Sequence, residues 1–137
     1  YTACMPLFIK LTALLVPIMM AVDFVWIGVI MKDFYRGNLG HLMSGTVAWV
    51  PAVSFYIIFV IGLVYFAALP GIASGSLGRT FLLGAAFGFF AYATYDLTNH
   101  ATLRDWPLVV TLVDMAWGTF FSGVLAALAL TLSRWIA

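Results

Sequence analysis

Polar and apolar residues separate along this chain into long blocks. Four blocks, Leu11–Met31, Trp49–Leu69, Thr80–Thr98 and Pro107–Leu132, are predominantly apolar. Each reaches the roughly 18 residues that a bilayer-spanning helix needs. Three polar connections separate them: Lys32–Ala48, Pro70–Arg79 and Asn99–Trp106. Short connections make successive spans antiparallel neighbours. The pattern therefore predicts an all-α, polytopic membrane protein, a single domain over residues 1–137 with four transmembrane helices in an up-down bundle. Pro17 removes a backbone donor from the first span and predicts a kink there. Residues 11–22 alone have the character of a signal-peptide core, but the apolar run continues to Met31 with no A-x-A site, so a retained span is expected. Trp49, Trp106 and Trp135 fall at predicted span ends and are expected to anchor at the membrane interface, as is Tyr1. Gly84 and Gly88 form a G-x-x-x-G that lets another helix approach closely.

Three carboxylates interrupt the apolar blocks: Asp23, Asp96 and Asp114. The first and third spans run toward the side that holds the first and third connections, and the fourth runs away from it. Counted from that boundary at 1.5 Å per residue, the three lie about 13, 5 and 10 Å deep, all in one half of a hydrocarbon layer ~30 Å thick. An unpaired charge at such depth costs at least ~2.5–3.5 kcal/mol. The three must face inward, pair, take up protons, hold a cation or line water. One aspartate alone reads equally well as a structural hydrogen-bond acceptor; three at one level point to a site.

The surrounding residue types sharpen that site. Tyr92, Tyr95, Asp96 and Asn99 share one helix face by their i, i+3, i+4, i+7 spacing. Trp26 follows Asp23 by three residues and Trp117 follows Asp114 by three, a repeated V-D-x-x-W. Tyr56 sits at similar depth in the second span. Thr98 and Thr111 add hydroxyls, and the connections supply Tyr35, Arg36, His41 and His100 as a candidate lid.

Composition changes the picture in two ways. Hydrophobic residues make up 65% and charged residues 8% of the 137, against about 45–50% and about 25% in soluble domains, which excludes a soluble fold and makes membrane lipids the surrounding partner. Net charge is +1 and no polybasic stretch occurs, so nucleic acid is not expected as a partner. The single cysteine, Cys4, cannot form an internal disulfide and is read as an apolar residue. Lys10, Arg79 and Arg134 face Lys32, Arg36 and Arg104 across the membrane, three against three. This balance leaves orientation undecided and permits insertion both ways.

The segments AYATYDLTNHATLRDWPLVVTLVDMAWGT, AVDFVWIG and FYRGNLGHLM resemble a family of bacterial four-span membrane proteins known as a domain of unknown function. The YDLTN–ATL–W–VDMAWG block is its specific part. The resemblance implies a multi-pass location in the bacterial inner membrane and no particular activity. The matching positions are Asp23, Trp26, Tyr35, Gly40, His41, Tyr95, Asp96, Asn99, Trp106, Asp114 and Trp117.

The expected function is binding or transport of a proton, a cation or a small cationic ligand by the three aspartates between aromatic walls, in a homo-oligomer or a subunit of a larger complex. An alternative is an accessory subunit in which the aspartates form a structural core. A second alternative is an enzyme acting on a lipid or isoprenoid through a metal held by Asp23, Asp96 and Asp114. No catalytic motif supports that last reading: neither G-x-S-x-G nor H-E-x-x-H occurs. The sequence names no cofactor.

Overall fold

The computed structural model describes residues 4–136; Tyr1 and the side chain of Cys4 lie outside them. The described residues form long helical rods and one short helix. The first rod is α1, Cys4–Val25, continued by a π-helical turn over Trp26–Ile30. The short helix α2 follows at Lys32–Leu39. The second rod joins α3, Trp49–Leu63, through a π-turn at Val64–Ala68 to α4, Leu69–Ser74. The last two rods are α5, Leu77–Thr102, and α6, Leu108–Ile136.

Three rods, Met5–Ile30, Trp49–Ser74 and Leu108–Ile136, are long and apolar enough to cross a membrane. At 26 residues α5 matches them in length but is more polar, carrying Arg79, Asp96, Asn99 and His100. Pro17 lies within α1, which is helical on both sides of it. Two further irregularities are the π-turns, where one extra residue per turn re-aims the side chains that follow.

The bundle core is a stripe from each rod. Leu11, Leu15 and Met19 of α1 meet Phe59, Val60 and Leu63 of α3 and Phe121, Leu125 and Ala129 of α6. The rods turn back on each other sharply. Gly75 takes φ +65°, a conformation that costs glycine little, and Ser76 caps α5 by accepting from the Arg79 N–H at 3.3 Å. At the end holding both termini, Lys10 Nζ donates to the Ile136 carbonyl at 2.8 Å, a cation on the negative end of α6.

The most extensive contact joins α5 and α6. A Cβ at Gly88 would collide with the Gly118 carbonyl oxygen and the Ser122 side chain, and one at Gly84 with Ala126 and the Ser122 carbonyl. Glycine here allows backbone to touch backbone, the close approach anticipated from G-x-x-x-G. Gly118 in turn receives the face of the Tyr92 ring, and Gly123 the ring of Phe81.

Candidate functional site

The three aspartates come to one level because the helix ends differ from those read off the chain. α5 continues to Thr102, so Asn99 and His100 are helical and Asp96 lies six residues from the end. Asp114 lies six residues after the start of α6 at Leu108. Both carboxylates are therefore about 9 Å from their helix ends, and Asp23, seven residues before Ile30, about 10 Å. A tight turn makes this possible. Asp105 adopts φ 56°, the left-handed region that aspartate enters more readily than most residues, and the chain re-enters helix at Leu108.

Asp23 is buried at 3% exposure and accepts from Trp117 Nε1 at 3.1 Å; the Tyr56 phenol lies beside it. Asp114 accepts from the Tyr35 hydroxyl, which itself accepts from Trp26 Nε1 at 3.3 Å. The indoles of Trp26 and Trp117 stack face to face, 4.0 Å apart and within 1° of parallel. The repeated V-D-x-x-W is thus crossed. The tryptophan of α6 serves the aspartate of α1, and the tryptophan after α1 serves the aspartate of α6 through one tyrosine.

Asp96 is different. It is fully buried, and among the described residues no N–H or O–H group reaches either carboxylate oxygen. The polar group it faces is the Asp114 carboxylate. Two carboxylates in contact repel unless a proton or a cation lies between them.

These groups border a cavity of about 610 Å³, within the ~300–1,000 Å³ of small-molecule sites. Asp23, Tyr35, Asp114 and the two stacked tryptophans form one wall; Tyr56, Phe55 and Phe59 of α3 and Tyr92 and Tyr95 of α5 form the others. Asp96 stands behind Asp114, off the wall. Tyr95, at 59% exposure, lies at the mouth with its edge against Trp106. Among the described residues no Lys, Arg or His lines the cavity, and no group of three or more His, Cys, Asp or Glu side chains forms a metal site.

The structure places the remaining expected residues as follows. α2 turns Tyr35 inward, buried beside Trp106 and Val110, while its neighbour Arg36 points out because adjacent helix positions diverge by about 100°. Burial first, and the bond to Asp114 second, push the Tyr35 phenol above its ordinary pKa, so it remains a donor at neutral pH. His41 and His100 are exposed and off the cavity wall. Asn99 is half-buried and also off the wall. The Thr98 hydroxyl turns back to its own helix, donating to Thr94 and Tyr95 carbonyls. Trp106 is buried, whereas Trp49 and Trp135 are exposed. At 9% exposure it donates to Thr111 Oγ1 at 3.0 Å and packs beneath Tyr35.

The wall residues that the sequence reading missed include Phe55 and Phe59 of α3 and Ile27 of the first π-turn, with Leu39, Met43, Pro51, Ala52 and Ala91. Phe55 and Phe59 flank Tyr56 at helical spacing, but in a helix apolar on every side such a stripe has no contrast. The π-turns leave no pattern in the sequence.

The family described as "Predicted membrane protein (DUF2177)" matches residues 8–131. No curated protein and no solved structure matches the chain.

Proposed function

We propose, from the premise that the chain belongs to this family of predicted membrane proteins, that it is a multi-pass membrane protein binding or transporting a small cation at the cavity between α1, α3, α5 and α6. We place it in a bacterial inner membrane with four spans, α5 being the fourth. In favour of that count, α5 is about 39 Å long and packs along α6, with Gly84 and Gly88 buried in the contact.

One observation carries the cation reading. Asp23 and Asp114, the two carboxylates on the wall, face the same aromatic cavity, and no basic side chain there opposes them. Carboxylates at membrane depth with no counter-charge attract cations, and the aromatic rings that border the cavity are of the kind that favours a cation beside them. The test is cation binding and flux in reconstituted vesicles. Asp23→Asn and Asp114→Asn each reduce uptake at least tenfold, whereas Asp33→Asn, in the exposed first turn of α2, leaves it unchanged. Uptake that survives both substitutions on the cavity wall sinks the reading.

A further inference from the structure

Asp96 is the group that a simple cation site leaves unexplained. An ionised carboxylate with both oxygens buried and without donors carries a large desolvation cost. Its contact is a second carboxylate, Asp114, which already accepts from Tyr35. Only Asp114 of the two reaches the cavity. A proton on Asp96 removes its charge and gives it one O–H···O⁻ bond to Asp114, leaving the second oxygen a neutral carbonyl; a positive charge bound at the cavity face of Asp114 compensates the pair electrostatically when that proton leaves.

We infer that the cavity takes a lipophilic organic monocation and exchanges it for one proton shared by Asp96 and Asp114, an inference that rests on the cation-binding reading above. The exchange balances. The empty site holds Asp23 as carboxylate and one proton on the Asp96–Asp114 pair, a charge of minus two. The filled site holds three carboxylates and one monocation, again minus two, and the proton passes to water. Charge is conserved at the site, so the low-dielectric interior is not asked to accept a net change.

The class of cation follows from the walls. Calcium takes six to eight oxygen ligands, and this cavity offers two carboxylates among phenols, indoles and phenyl rings. A quaternary or alkylammonium group suits an aromatic wall that carries two carboxylates. The titratable groups facing Asp114 and Asp96 are Asp23 of α1, Tyr35 of α2, and Tyr92 and Tyr95 of α5; Tyr56 of α3 faces Asp23. All are acids, so the proton has no basic competitor.

The experiment is calorimetric titration of the purified protein with benzyltrimethylammonium, which carries no exchangeable proton, in two buffers of different ionisation enthalpy. The expected result is close to one proton released per cation bound, with affinity rising about tenfold per pH unit while the pair holds its proton. Asp96→Asn binds the cation and releases none. Binding by the unaltered protein with no proton release and no pH dependence overturns the exchange and leaves the cation reading intact. No binding of benzyltrimethylammonium, with Asp23- and Asp114-dependent uptake of protons or inorganic cations retained, overturns the organic-cation class alone. Loss of both overturns both readings. The proton count on the unaltered protein decides the matter even where Asp96→Asn fails to fold.

Discussion

The same two helices behave oppositely at their two ends. Near the α5 start, α5 and α6 meet through missing side chains, with Gly84 and Gly88 against Ser122, Gly123 and Ala126. Near the α5 end they carry Tyr92, Tyr95, Asp96, Asp114 and Trp117, and leave a cavity. The first region gains by contact; the second bears a carboxylate pair that contact alone disfavours. Tyr92 against Gly118 marks the change from one to the other. The glycine seam sets a close interhelix distance that α5 and α6 carry toward Asp96 and Asp114.

Three substitutions probe this contrast. The largest effect is expected for Gly88→Leu, which drives a side chain into the Gly118 carbonyl and Ser122. It should cost about 3 kcal/mol, the upper part of the usual overpacking range, in denaturant unfolding of the detergent-solubilised protein, and should disable the distant site with it. A fully stable Gly88→Leu protein would show that the seam does not set the spacing. Next, Tyr35→Phe removes the hydroxyl that links Trp26 to Asp114. Leaving those groups unpaired should cost about 1–2 kcal/mol, with the stacked indoles loosened in near-ultraviolet circular dichroism. The smallest effect is expected for Asp96→Asn, whose amide donates to Asp114 in place of the proposed shared proton and should change stability by no more than about 1 kcal/mol, read as melting temperature. A larger loss would mean that Asp96 has a partner the amide cannot replace.

Much of the site was legible because lipid leaves polar residues conspicuous. Asp23, Asp96 and Asp114 stand out against apolar runs, and counting residues from the connections places them in the same half of the membrane. That count set Asp96 too shallow, because NHAT reads as polar loop yet is helical through Thr102. Short polar residues at a membrane boundary satisfy a last helical turn as readily as a loop, and the Thr98 and Thr102 hydroxyls do so by bonding back to their own helix. Tyr35 and Trp106 were misplaced for a related reason. Both lie in connections, and burial of a connection depends on which face of α2 and which turn at Asp105 folds back, a tertiary matter with no local signature. The V-D-x-x-W spacing sets Trp26 beside Asp23 and Trp117 beside Asp114 along the chain, whereas the donors cross to the opposite helix.

That crossing has an optical consequence. Two indoles held parallel at 4.0 Å share their excited states, so their absorption and emission belong to the pair. One indole nitrogen is tied to Asp23 and the other, through Tyr35, to Asp114. In the proposed exchange, charge redistributed among the aspartates acts directly on both hydrogen-bonded indoles, so binding is expected to change a circular-dichroism couplet and the tryptophan emission, with no label attached.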